Sequence, residues 1–243
     1  MVQLPLQGRT VAVTGAGGSL GQALLQQLHR QGASLVALTT RQEALQLKAA
    51  DGSAIPLRQV TWSCGEEQAL SAVLEDCDLL VINHGFNSHG DRSAEAVQRS
   101  LEVNALSSWR LLELFAGIAH ADPARPVARE LWMNTSEAEI QAAVSPLYEI
   151  SKRLQGQLLS LRSLDLAGPQ LRLRRLVLGP FRSALNPIGL MSAAFVAREI
   201  LRQVHWNWGL VIVTPNPLTY LVMPVACLSR WLYFQATSQR SAS

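Results

Sequence analysis

Charge is scarce in this chain of 243 residues: Asp, Glu, Lys and Arg make up 16% of it, against about a quarter in typical soluble domains. A surface so lean in charge suggests that another subunit covers part of its apolar area. Lysine is nearly missing; Lys48 and Lys152 are the two present, and every other basic residue is arginine. The formal charge is +3, and no run of adjacent basic residues looks like a nucleic-acid arm. The densest group, Arg172, Arg174 and Arg175, alternates with leucines and reads as a strand with a polar face. Nucleic acid is therefore not an expected partner. Three cysteines form neither a CxxC pair nor an even framework, which suits a reducing, cytoplasmic setting. Five scattered histidines make no metal-ligand pair, so no metal site is expected. Nor is there an uninterrupted apolar span. Residues 210–234 come nearest, but Pro215, Asn216, Pro217, Pro224 and Arg230 break a stretch that would need about 20 apolar residues. They read as a strand, a turn and a final helix. The first residues lack the basic, apolar, small-residue order of an export signal.

What is present is an alternation. Short apolar runs at residues 10–14, 34–39, 57–62, 79–83, 130–135, 171–178 and 210–214 read as strands. Helical spacing appears between and after them, at residues 20–28, 43–50, 66–74, 94–120, 147–166, 192–204 and 225–234. The strands are apolar throughout rather than every second residue, as a parallel sheet covered on both faces requires. With 48% hydrophobic residues and no repeat or linker, the expectation is one doubly wound, Rossmann-type α/β domain over residues 1–243. Its serine-rich tail, residues 237–243, is expected to be disordered.

The turn after the first strand reads Thr14-Gly15-Ala16-Gly17-Gly18-Ser19-Leu20-Gly21. A pyrophosphate must come close to the backbone, and a helix N-terminus offers it free N–H groups and a positive dipole end. Glycine serves where a side chain would block that approach. GxGxxG is not met, since Leu20 stands at its last glycine; TGxxGxxG is met. Gly15, Gly18, Ser19, Leu20 and Gly21 are thus candidate dinucleotide contacts. At the end of the second strand, a carboxylate would favour NAD and a basic residue would favour a 2′-phosphate. Here Thr39-Thr40-Arg41 carries hydroxyls and a guanidinium, so Thr40 and Arg41 point to NADP(H) over NAD(H).

Tyr148 and Lys152 are one helical turn apart on one face. A phenol with a pKa near 10 needs help to transfer protons at neutral pH, and a neighbouring ammonium should lower it. Such a pair is a general acid–base unit for an alcohol or carbonyl oxygen. The strand end Asn134-Thr135-Ser136 precedes it. His84 and His89 bracket a loop near the same region, and a polar packing role fits them better than a catalytic one.

Together, TGAGGSLG, Asn83-His84-Gly85, Asn104 and Ser136 with YxxxK resemble the short-chain dehydrogenase/reductase family. The resemblance is to its shorter members, with a glycine motif closer to the extended ones, and it runs from about residue 8 to 209. It implies that Tyr148 exchanges a proton with the substrate and Lys152 holds the nicotinamide ribose and depresses the tyrosine pKa. Ser136, or Thr135 in its place, would bond the substrate oxygen, and Asn104 would anchor a relay water. Asn83 and Gly85 would line the adenosine side. The first expectation is a carbonyl reductase or alcohol dehydrogenase acting on an apolar substrate, with residues 181–208 shaping the pocket. The alternatives are a dinucleotide-dependent epimerase or dehydratase, which the short span between Gly179 and Leu210 argues against, or a non-catalytic NADP-binding regulator. Residues 109–118 form a helix apolar nearly all round, which suggests a homodimer or homotetramer. Contact of the aromatic-rich C-terminal helix with a membrane surface is a lesser expectation.

Overall fold

Seven short strands rich in Val, Leu and Ile lie side by side in one parallel sheet: β1 (Thr10–Thr14), β2 (Ser34–Thr39), β3 (Arg58–Thr61), β4 (Leu79–Ile82), β5 (Arg129–Ser136), β6 (Leu171–Leu178) and β7 (Leu210–Val213). Their order is β3-β2-β1-β4-β5-β6-β7. The structure, a computed structural model, describes residues 6–239. Helices α1 (Ser19–Arg30), α2 (Ser71–Glu75), α3 (Ala94–Leu101), α4 (Ser107–His120), α5 (Pro146–Leu166), α6 (Ala193–His205) and α7 (Pro217–Thr237) connect the strands and flank them. One apolar layer packs α1 and α6 against the sheet through Leu24, Leu28, Val196 and Ile200. The opposite layer is built on Leu74, Leu111, Phe115 and Leu159. Burial on both faces is why β1, β2, β4 and β7 carry no polar alternation. The doubly wound α/β expectation holds. Chain direction around the sheet reverses between β1 and β4, and ligands of such folds sit at that switch point, beyond the strands' carboxyl ends.

Three local expectations fail, each for a tertiary reason. Residues 43–50 are good helix formers but make no helix. The Gln59 side chain on β3 takes their backbone instead, accepting from Leu45 N at 2.7 Å and donating to Arg41 O and Glu43 O at 3.1 and 3.0 Å. An Asp51-Gly52 turn then folds the chain back so that Lys48 bridges Ala54. The final helix begins at Pro217, eight residues earlier than expected. Asn216 caps it, accepting from Leu218 N at 3.0 Å, Pro217 takes the first-turn place where its missing N–H costs nothing, and Pro224 is absorbed mid-helix. No helix among the described residues is long and apolar enough to cross a membrane. Thr237 ends α7, while residues 240–243 of the expected tail lie outside the described residues.

Nor does β6 present a solvated polar face. Arg174 is fully buried and pairs with Glu130 at 2.9 Å; it also donates to Trp208 O at 2.6 Å, tying the sheet to the loop before β7. Arg175, on the opposite face, is buried against Glu139. Buried charge survives only where it is paired and hydrogen-bonded, and both arginines satisfy that condition.

Candidate active site

The glycine turn leaves β1 at Gly15, whose φ of +61° is open to glycine at little cost. A Cβ there would stand 2.9 Å from His84 Cα. A Cβ at Gly21 would stand 2.3 Å from Gly15 O, so α1 can start this close to the strand only with glycine in that place. Helix α1 opens on Gly18, which has no side chain to cap it, leaving the first-turn N–H groups around Ser19 and Leu20 without a side-chain partner. The Arg41 side chain lies over this turn: a Cβ on Gly17 would meet its Nε at 3.1 Å. An uncapped helix end, a backbone bared by glycine and a guanidinium beside it form a cradle that fits the phosphates of a dinucleotide. Thr40 and Arg41 are exposed at the end of β2, with no carboxylate between Thr39 and Arg41.

Beyond β4, the Thr14 hydroxyl collects the chain, accepting from Asn83 N and His84 N at 2.8 and 3.2 Å. The Asn83 side chain bridges strands, donating to Thr14 O at 3.3 Å and accepting from Asn134 at 2.9 Å. His84 places Nδ1 2.9 Å from Thr14 Oγ1 and stands edge-on to Trp62. Burial, aided by the Lys152 charge, pushes its pKa down to about 4, so it is a neutral packing residue. His89 is exposed with φ of +55°, and its carbonyl accepts from Ser145 at 2.7 Å. Gly85 leaves room for Asn104, whose Oδ1 would lie 3.4 Å from any Cβ there.

Asn104 sits in a π-helical turn, Glu102–Leu106, between α3 and α4. Its Oδ1 accepts from Phe86 N at 2.8 Å, and its Nδ2 donates to Phe86 O and to Ser151 Oγ at 2.8 and 2.9 Å. The side chain is spent on joining the β4 loop to α5. Its side chain therefore positions these elements.

At the other end of the crevice, Pro146 starts α5 and sets Tyr148 and Lys152 one turn apart, with Nζ 5.8 Å from the phenol ring centre. Lys152 is buried and donates to Gln155 Oε1 at 2.9 Å and Asn134 O at 3.3 Å. The expected lowering of the tyrosine pKa is not what this site produces. Burial pushes Tyr148 up, a hydrogen bond with Ser136 opposes it, and the nearby Glu137 charge raises it further. Lys152 is itself pushed down to about 8 by burial, against the pull of Glu139. The two groups each resist charging, and two of the three ammonium protons go to Asn134 and Gln155. Thr135 donates to Leu176 O at 3.3 Å inside the sheet; Ser136 donates to Leu178 O at 3.5 Å and is the residue beside Tyr148.

Several groups here carried no readable sequence signal. Glu139 is buried and held by both Arg175 and Arg230, at 2.5 and 2.6 Å. A Cβ on Gly156 would overlap Glu139 Oε2 at 1.8 Å, so that glycine makes room for the cluster one turn past Lys152. Glu137 accepts from Thr214 and Thr219 at 2.6 and 3.2 Å. The one available hint was position, since Glu137 directly follows Ser136. The segment after β6 crosses toward the β4 loop, where Asn87 donates to Leu185 O at 3.3 Å. Its apolar side chains mostly face out, Ile188 being 85% and Leu190 73% exposed, so by itself it closes no apolar pocket.

A family model described as the NAD dependent epimerase/dehydratase family matches residues 11–139. Among characterised proteins, monoglucosyldiacylglycerol epimerase of Synechocystis sp. is 45% identical over 239 residues, covering 98% of this chain and 57% of that protein. Nodulation protein G of a Rhizobium species is 36% identical over 118 residues, 44% of this chain and 47% of that one. This chain thus spans about half the length of each of these relatives. Of solved structures, a short-chain dehydrogenase from Burkholderia cenocepacia in complex with NADP superposes with a TM-score of 0.75 at 16% identity, over 98% of this chain and all of that one. Ligand-free aldohexose dehydrogenase from Thermoplasma acidophilum gives 0.68 at 17%, over 88% and 95%. The fold is therefore that of the short-chain dehydrogenases, and the short segment before β7 does not set the chain apart from the epimerases. The chain belongs to the NAD-dependent epimerase/dehydratase family.

Proposed function

We propose that this protein inverts a hydroxyl-bearing carbon of the hexose on a glycosyl diacylglycerol, with NADP(H) as its resident dinucleotide. The observation that carries the reading is the 45% identity, along nearly the whole chain, to a glycolipid epimerase. It favours inversion over the net reduction that the motifs alone put first. Support for the acyl part of the substrate comes from α7, which packs beside α5 and leaves Leu221 and Val225 71% and 67% exposed. Between Pro217 and Thr237 its one charged residue, Arg230, turns inward to Glu139. Support for NADP(H) is Arg41 above Gly17 and the missing carboxylate at the end of β2.

Bound in the crevice, the dinucleotide supplies a place for a hydride to leave a carbinol carbon and return to its other face. The first-turn N–H groups of α1 and Arg41 would hold its phosphates, and Lys152 would hold its nicotinamide ribose. Entering the cycle as phenolate, Tyr148 takes the hydroxyl proton as the carbon–oxygen bond gains double-bond character, and as phenol gives it back when that bond returns to single. Ser136 donates to the same oxygen and holds it at the phenol. The raised phenol pKa favours the second half of this cycle, in which Tyr148 is the acid, and the phenolate must form for the first. Because the proton that Tyr148 takes is the one it gives back, the protein is left unchanged.

The test is incubation of monoglucosyldiacylglycerol in mixed micelles with the protein and a catalytic amount of NADP+. Appearance of an epimeric hexose without NADPH accumulation is the expected result. Stoichiometric NADPH, or an unchanged headgroup, would refute it.

A further inference from the structure

We infer that Glu137 is the residue that recognises the headgroup, its free carboxylate oxygen accepting hydrogen bonds from hexose hydroxyls beside the one that reacts. The inference rests on the reading of the crevice as a sugar-epimerising site and assigns a residue to its specificity.

Glu137 follows Ser136 directly and opens the short 3-10 turn Glu137–Glu139. One carboxylate oxygen, Oε2, is fixed from the far side of the crevice by Thr214 Oγ1 at 2.6 Å and Thr219 Oγ1 at 3.2 Å. Each hydroxyl has a single proton, and both protons are spent on this oxygen. The two threonines accept in their turn, Thr214 from Asn216 N at 3.1 Å and Thr219 from Gln141 Nε2 at 2.6 Å. Gln141 also accepts from Asn216 Nδ2 at 2.6 Å. Every bond in the network therefore runs toward Glu137, which is its terminal acceptor. The second oxygen, Oε1, receives no donor among the described residues.

Comparison with Glu139, two residues on, shows what is unusual. Glu139 is neutralised by Arg175 and Arg230, whereas no described cation pairs with Glu137. Holding two threonine hydroxyls does not require a charge; a glutamine carbonyl would accept both. The charge also has a cost, since it opposes ionisation of Tyr148. An unpaired, rigidly held carboxylate at the catalytic edge is explained if a ligand brings the missing donors. A phosphate or carboxylate headgroup would be repelled, whereas the hexose hydroxyls of the proposed substrate are donors that a carboxylate accepts. A carboxylate accepts from hydroxyls more strongly than a neutral amide does, and polar groups of this kind separate one hydroxyl pattern from another.

The probe is octyl β-D-glucopyranoside, titrated calorimetrically into protein saturated with NADP+. Wild type should bind it, and Glu137→Gln should bind it about tenfold more weakly, with NADP+ affinity and melting temperature retained. Thr219→Val, which loosens Oε2, should lose a smaller factor. Glucosides lacking one hydroxyl should weaken binding to wild type at the position Glu137 contacts but not to Glu137→Gln. In turnover, KM should rise in Glu137→Gln by more than kcat falls. Equal glucoside affinity in wild type and Glu137→Gln overturns the assignment, as does no glucoside binding by wild type or tighter binding of an alkyl trimethylammonium probe. Glu137-dependent binding without epimerisation would sink the proposed reaction and leave the recognition site standing; epimerisation indifferent to Glu137 would do the reverse.

Discussion

At the β1–β2 end of the crevice the groups that would meet a ligand are main-chain N–H groups bared by glycine, with Arg41 as the one side chain of weight. At the β5–β6 end every group of consequence is a side chain, and most are held by other side chains drawn from β4, β7, α5 and α7. The first end depends on local backbone shape, which a few adjacent residues determine. The second depends on chain segments far apart in sequence meeting in a dry place, where each charge alters its neighbours. One end should therefore respond to substitution in cofactor affinity, and the other in turnover and in the energetics of protonation.

The largest separation is expected for Tyr148→Phe. Turnover should fall about 1,000-fold, with NADP+ affinity within about twofold by fluorescence titration; a matching loss of affinity would merge the two ends. Next comes Lys152. Its folded pKa of about 8 lies below the ordinary value of 10.5, so between these pH values the unfolded chain binds the extra proton and stability rises with pH. At pH 7 both states are protonated and the folded state carries the burden of a buried ammonium. Lys152→Met should thus be inactive yet more stable at pH 7, by up to about 3 kcal/mol, with the gap to wild type narrowing as pH rises from about 8 to 10.5. Chemical denaturation across pH checks this, and a gap that widens contradicts it.

At the glycine end, Gly21→Ala pushes a Cβ into Gly15 O, so NADP+ affinity should drop about 100-fold, together with a loss of roughly 1–3 kcal/mol in stability. Gly17→Ala meets only the movable Arg41 side chain and should change NAD+ affinity by less than about threefold. The smallest effect is Arg41→Ala: NADP+ affinity about tenfold weaker, NAD+ affinity within about twofold. Equal losses for both dinucleotides would remove the case for NADP(H).

The same contrast explains what could be read from sequence. β1, β2 and β6 end where their apolar runs end, because burial on both faces leaves few alternatives. The glycine cradle was legible because a backbone requirement writes itself into adjacent residues. Residues 43–50 misled because helix propensity there is outweighed by one glutamine, Gln59, on a neighbouring strand. Arg174 and Arg175 read as surface charge because their partners, Glu130 and Glu139, lie 44 and 36 positions away. The tyrosine–lysine spacing was visible, but the sign of the phenol's shift was not, since it depends on burial and on Glu137. Reduction came ahead of inversion in the motif reading because both chemistries use the same Ser–Tyr–Lys set.

The most direct test of that last distinction uses a monoglucosyldiacylglycerol whose sugar carbons all carry deuterium, incubated in ordinary water with a catalytic amount of NADP+. Transient oxidation with return to the same carbon predicts an epimeric product that keeps its full complement of deuterium by mass spectrometry. Loss of one deuterium to solvent, or its stoichiometric capture as deuterated NADPH, would contradict the account.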